Sequence, residues 1–396
     1  MRTFLILALA VMVTGASFAQ EFVLSGEAKT GIIWQQTDHR LASEVDHKRE
    51  GDGVRMGSKD DAGSNDGRFR LNLKYTNSKG NLGFQSRLNW EQFNNAPTNG
   101  PNWSYAYGWG SFFNDQFLLS LGKLGNSPWG SGGPEMWREL EVSSFAGLRF
   151  EWKPKFVQNW KNGEMNLGFV LNWYDDVADA GMGRDPTLLD ALQETVFGVS
   201  YKNDWFLVRG AYRLDSELDQ GAARSGNDIK KEGHKLVYRV EEYILKSIAP
   251  DLNMQVWALG EFMGIGSESP EDTFSTRNWL FYQVAPGDFT AQARFGLEAT
   301  GAKFQAFIRP FFSYKLLNGL VVPSIEITYA NDFGDHKVWP DSSYLYYDFK
   351  PRLQVNFAQG AYVAFEYYYR MLMAYGPPGP PEKRTQWMNL RAGISF

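Results

Sequence analysis

Between Leu24 and Trp34 the chain alternates in character. Leu24, Gly26, Ala28, Thr30, Ile32 and Trp34 place apolar or small groups on one face, and Ser25, Glu27, Lys29 and Gly31 make the other largely polar. A period of two over about ten residues predicts a strand with one wet face. The pattern returns in Phe69, Leu71, Leu73 and Tyr75, set against Arg68, Arg70, Asn72 and Lys74. After a turn at Asn77 to Asn81 it returns again, with Leu82, Phe84, Leu88 and Trp90 against Gln85, Arg87, Asn89 and Glu91. Two such runs joined by a tight turn predict a hairpin.

Similar segments are read near 103–113, 116–124, 146–153, 164–174, 194–202, 205–213, 235–247, 252–262, 277–284, 289–299, 302–314, 320–330, 344–357, 361–373 and 386–396. Beyond the first residues no window approaches ~18 consecutive apolar positions, so a membrane could be crossed only by strands closed into a barrel. The connections support closure. Long ones, near 35–66, 92–102, 125–145, 175–193, 214–234, 263–276, 331–343 and 374–385, alternate with short ones such as Asn114-Asp115, Asn203-Asp204 and Ala358 to Gly360. Long outer loops and short inner turns are the rhythm of a barrel whose first strand rises from the inner side. Two connections break it. The inner one at Pro154 to Gly163 is long, and the outer one at Thr300-Gly301 is tight. The expected fold is therefore all-β, a transmembrane antiparallel up-and-down barrel of 18 strands, or 16 if either of those two connections is misread.

Aromatic residues make up 16% of the 396, with 14 Trp, 19 Tyr and 29 Phe. A soluble β-sandwich could use them as core, but the even alternation of connections favours rings collected at two membrane interfaces. Trp34, Trp90, Trp103 and Trp173 fall at expected outer strand ends and Trp152 at an inner one. Cysteine is absent, which excludes disulfides, thiolate metal sites and cysteine nucleophiles. The net charge of -5 excludes nucleic acid as a natural partner. Arg2, the apolar run Phe4 to Val13 and the sequence Ser17-Phe18-Ala19 read as a cleaved export signal over residues 1–19, leaving one barrel domain over 20–396.

The last strand places Met388, Leu390, Ala392, Ile394 and Phe396 on one face, and it stops on the aromatic carboxyl terminus. This resembles the assembly signal of outer-membrane barrels of diderm bacteria, which implies insertion by the barrel-assembly machinery into outer-membrane lipid. The run Phe117 to Gly125 followed by Ser127-Pro128-Trp129 resembles the fifth strand of general porins, which leads into their third loop. The resemblance covers the whole chain in architecture and about a dozen residues in motif. It implies passive diffusion of ions and small hydrophilic solutes through a charge-lined lumen. An 18-strand count would point toward the substrate-specific types. It also implies that the third loop narrows the pore through Pro134, Glu135, Arg138, Glu139 and Glu141. A basic wall of Arg68, Arg70, Lys74, Arg87 and Arg149 would face them. Whether the loop folds into the lumen, and whether the barrel works as a homotrimer, stay open at this stage.

Catalysis is not expected, and neither is a cofactor. The four His (His39, His47, His234 and His336) fall in or beside expected outer loops, and no Ser stands in a nucleophile-elbow sequence. Acidic groups at Asp60, Asp61 and Asp66, and at Asp175, Asp176, Asp179 and Asp185, lack full EF-hand spacing and read as solvated loops rather than a metal site. A second function class remains, a display barrel whose outer loops act as adhesin or receptor. It would favour very long loops on a small barrel, the reverse of what this chain carries.

Overall fold

The computed structural model describes residues 21–40, 48–56, 68–91, 101–124, 128–129, 146–173, 192, 195–213, 234–265, 274–300, 303–332, 344–374 and 382–396. The expected export signal over 1–19 lies outside them, as do the acidic loop clusters. In chain order the first strands are β1 (Glu21–Arg40), β2 (Lys48–Met56), β3 (Arg68–Thr76), β4 (Leu82–Glu91), β5 (Asn102–Phe112) and β6 (Phe117–Lys123). Next come β7 (Ala146–Trp152), β8 (Glu164–Trp173), β9 (Val196–Lys202), β10 (Phe206–Arg213), β11 (His234–Glu242) and β12 (Gln255–Ile265). The series ends with β13 (Ser275–Val284), β14 (Phe289–Thr300), β15 (Lys303–Tyr314), β16 (Val321–Asp332), β17 (Tyr344–Ala358), β18 (Ala361–Ala374) and β19 (Glu382–Ser395).

Every described strand pairs antiparallel with its neighbours, and β1 pairs β19 from Glu27↔Ser395 to Arg40↔Glu382, so the sheet closes as an 18-strand barrel. The strand beyond that number is β2. The lower half of β1 pairs β3, from Glu21↔Thr76 to Lys29↔Arg68, while its upper half pairs β2, from Ile32↔Met56 to His39↔Lys48. A 20-residue strand is long for the job. At ~3.3 Å per residue and ~45° tilt it rises roughly 47 Å, against an apolar band of ~25 Å. The β1–β2 hairpin therefore stands above the membrane.

The pattern of alternation fixed the ring correctly and missed its extensions. The stretch 35–66 is not all loop, because β1 runs to Arg40 and β2 follows; Trp34 consequently lies inside β1 rather than at its end. The strand read as 235–247 stops at Glu242, and Ile244–Ile248 forms a short helix whose first turn is capped by Glu242 Oε1, accepting from Leu245 N at 2.7 Å. The last strand starts at Glu382 rather than 386. The tight outer connection is real, since Thr300 and Lys303 are directly paired.

Alternation decides what faces lipid. Leu119, Leu121, Phe197, Val199, Phe295, Leu297 and Ile308 are exposed on the outside, where hydrocarbon is their solvent. Their neighbours in sequence point into the lumen. The inner turn between β3 and β4 is tight and self-satisfied: Asn77 Oδ1 accepts from Asn81 N at 3.0 Å and Leu82 N at 3.2 Å.

The seam between first and last strand ends in a two-way clasp. Gly26 N donates to Phe396 O at 2.8 Å, and Phe396 N donates to Gly26 O at 3.0 Å. A Cβ on Gly26 would lie 2.6 Å from the Phe396 ring and 2.7 Å from Arg70 O, so only glycine lets the ring lie flat here. Gly26→Val is expected to reduce the folded fraction sharply on heat-modifiable electrophoretic mobility. Gly108→Ala, whose Cβ would meet only Gly83 O at 3.8 Å, is expected to leave it unchanged.

Candidate pore lumen and constriction

Register converts the alternating pattern into an inner wall. Glu27 on β1 holds Arg68 Nη2 at 2.8 Å and Arg70 Nη1 at 3.4 Å on β3, and Arg70 Nε donates to Asn89 Oδ1 at 3.1 Å on β4. Arg87 Nε donates to Asn72 Oδ1 at 2.7 Å, and its guanidinium lies 5.1 Å above the Tyr105 ring. Tyr107 donates to Gln85 Oε1 at 3.1 Å, and Arg149 lies 5.5 Å above the same Tyr107 ring. Arg149 Nε pairs with Glu151 Oε1 at 2.9 Å, and Glu151 Oε2 accepts from Asn166 Nδ2 at 2.7 Å. A polar strip thus runs across the wall from β1 to β8. Of the basic residues read from sequence, Arg68, Arg70, Arg87 and Arg149 are in it, and Lys74 stays exposed beside it, opposite Gln85. Tyr105 and Tyr107 were not singled out in the sequence; a bulge between Arg87 and Leu88 shifts the β4–β5 register that would have assigned their face.

Beyond β6 the chain turns into the barrel. Leu124 and Trp129 are fully buried and cluster with Val170, Val196, Ala211 and Val237, with Tyr107 packed alongside. All four partners on β8 to β11 belong to the inward face, since Val170 lies opposite Arg149 and Val196, Ala211 opposite Gly198, and Val237 opposite Ala211. The indole rests on two glycines: an added Cβ would meet it at 1.9 Å from Gly198 and 2.7 Å from Gly168. Small inward residues here leave a seat for one large ring. Gly168 is midway along β8, so the Trp129 ring rests against the inner wall near mid-height. Pro134, Glu135, Arg138, Glu139 and Glu141 lie outside the described residues.

Position around the ring matters for the field across the pore. Arg149 is beside the Trp129 seat, on the same side of the lumen. Half-way round from the seat stand β17 and β18, which carry Arg352 and Arg370. Arg370 grips Asp348 with two bonds of 2.7 Å. The remaining wall has its own aromatic patch: Leu259, Trp279, Phe281, Phe307 and Ala330 are buried together, with Trp257 stacked on Phe281 at 5.0 Å. Arg294 and Arg309, directly opposite each other, lie 5.6 Å over Phe281 and 5.2 Å over Phe307. Arg209↔Arg239 and Arg213↔Lys235 are further cross-strand pairs of like charge. Such pairs repel at close range, so their repetition makes this wall strongly basic. Acidic groups answer in part. Lys235 Nζ is 3.5 Å from the fully buried Glu261, Arg277 is within 3.8 Å of Glu261 and 3.7 Å of Glu298, and Arg294 is 3.7 Å from Glu326. At the inner mouth burial, then a 2.8 Å bond from its hydroxyl to Glu241, push the Tyr243 phenol up to about 12, so it stays a neutral donor.

No metal-ligating group of three or more His, Asp or Glu occurs among the described residues. His234, the described histidine with a placed side chain, stacks on Tyr212 at 5.5 Å.

This architecture is a closed barrel with an apolar exterior and a charged interior, the outer-membrane class of transmembrane protein. Neither family models nor curated proteins match the sequence. Among solved structures, Pseudomonas aeruginosa OpdQ is similar at 6% identity with a TM-score of 0.50, over 95% of this chain and 99% of that one. A mutant of the Rh. blastica porin is similar at 12% identity and a TM-score of 0.44, over 95% of this chain and 100% of that one. The likeness to OpdQ bears on the fold alone, a large closed antiparallel β-barrel.

Glu366 and Arg391 form a pair of 3.3 Å that is almost fully desolvated on the β18–β19 wall. Glu366→Leu is expected to cost about 3 kcal/mol in urea unfolding, because it strands a buried guanidinium. Adding Arg391→Met should restore most of that loss in a double-mutant cycle.

Proposed function

We propose that the chain is a diffusion channel, a water-filled pore for ions and small hydrophilic solutes, narrowed by its third outer connection. The observation that carries this reading is the Trp129 seat, which holds the start of that connection against the inner wall at Gly168 and Gly198. Six residues span at most about 21 Å, so Glu135 stays within that distance of the seat. Pro134, Glu135, Arg138, Glu139 and Glu141 are the segment we assign to the constriction. Arg68, Arg70 and Arg87 on one flank, and Arg352 and Arg370 across the lumen, would complete a transverse field. Rings of fixed charge bias which ions pass, and basic side chains outnumber acidic ones at the described inward positions, which favours anions.

Purified protein in planar bilayers tests the reading. We expect stepwise conductance, with a reversal potential in a salt gradient displaced toward that of the anion. Folded protein that gives no steps would remove the channel. Replacing Glu135, Glu139 and Glu141 together by Gln is expected to move the reversal potential further toward the anion; an unchanged value would take these residues out of the constriction. Trp129→Ala, and independently Gly198→Val, should raise single-channel conductance by releasing the loop from its seat, and equal conductance in both variants and the parent would refute that role.

A further inference from the structure

The inner connection between β7 and β8 is longer than closure of the hairpin requires, since three residues, Asn203 to Trp205, suffice between β9 and β10. Its extra residues form the 3-10 helix Lys155–Asn159 and a turn to Gly163, laid against the outside of the barrel. Trp160 stacks on Tyr201 at 5.9 Å and meets Trp205 edge-on at 6.0 Å. Tyr201 shares its face of β9 with the lipid-exposed Phe197 and Val199, so this aromatic cluster is on the membrane side. Trp152, on the outward face at the end of β7, meets Phe156 at 6.3 Å. The element is fixed in place: Asp204 N donates to Lys161 O at 3.1 Å, and Asn162 Nδ2 holds the Asp204 carboxylate at 3.0 and 3.2 Å.

Much of what it presents faces outward. Phe156 and Trp160 are 70% and 51% exposed. No Asp or Glu occurs from Trp152 to Gly163. Lys155 and Lys161 are exposed and make no ion pair among the described residues, and Lys161 Nζ stands 4.8 Å over the Trp205 ring. Lys153 is different, since it turns to Glu151 of the lumen at 3.9 Å. Rings that sit at a lipid interface, flanked by ammonium groups reaching to headgroup level, match one ligand chemistry: a phosphate joined to acyl chains.

We propose that this foot binds an anionic phospholipid of the inner leaflet, with Lys155 and Lys161 on its phosphate and Phe156 and Trp160 among the upper acyl carbons. The placement favours lipid over a periplasmic protein, since the Asp204 carboxylate is taken up by Asn162 while both lysines stand beside membrane-level rings without an ion pair among the described residues.

The test uses the purified full chain in zwitterionic detergent, titrated with phosphatidylglycerol and read by thermal unfolding. The unfolding temperature should rise with phosphatidylglycerol and not with phosphatidylcholine. Lys155→Gln with Lys161→Gln should move the titration midpoint by about fivefold per lysine removed. Lys79→Gln with Lys315→Gln, on other inner turns, should leave it unmoved. An equal rise with phosphatidylcholine, or a foot variant that titrates like the parent, overturns the proposal. Inorganic phosphate producing the same rise overturns it too, by assigning the lysines to a soluble anion. Heat-modifiable mobility confirms that each variant is folded before titration.

Discussion

In hydrocarbon an unpaired peptide N–H or C=O has no water to turn to, and each costs several kcal/mol. That constraint governs everything else in this chain. A sheet in lipid cannot keep an edge, so β1 must find β19 across hundreds of residues, and the start of the first strand must meet the end of the last. The clasp between Gly26 and Phe396 is where this requirement becomes specific chemistry, with two backbone bonds and a ring that fits only because Gly26 has no side chain. Closure also divides the residues into two solvents. The outer positions are free to be Leu, Phe and Val, and the inner ones are free to carry charge.

The interior uses that freedom unevenly. From β1 to β8 carboxylates, amides and tyrosines interleave with the arginines, so each guanidinium has a defined place. From β10 to β15 cations stand opposite cations, and the arginines lie over aromatic rings as well as beside carboxylates. Between these two regions Trp129 fills a recess made of glycine, alanine and valine. The lumen is therefore not a uniform tube but a wall with a polar side, a basic side and an apolar seat that holds Trp129.

The ring itself was legible in the sequence because a period of two is a local signal and the lipid face tolerates little deviation from it; Phe69 to Tyr75 or Phe289 to Thr300 could be read almost residue by residue. What lay beyond the membrane was less legible. The β2 strand carries Lys, Arg, Glu, Asp and two Gly, and outside the apolar band no face of it needs to be greasy, so nothing marked it as a strand. The inward orientation of Arg68, Arg70, Arg87 and Arg149 followed from alternation, but their position around the ring did not, because register and strand number must be known first. Arg277 and Arg294 could have been found by the same alternation along β13 and β14. The Trp129 seat is different in kind. Its glycines, Gly168 and Gly198, look like ordinary strand weak points, and only the contact with Trp129, far away in the sequence, gives them a purpose.

That contact also orders events in time. The recess exists only when β8 and β9 are already paired, because Gly168 and Gly198 line it together from adjacent strands. The indole cannot dock on a surface that has not formed, so Trp129 can settle only after this part of the wall is paired. Folding there runs from wall to lumen, with a single ring dropping into a recess already built.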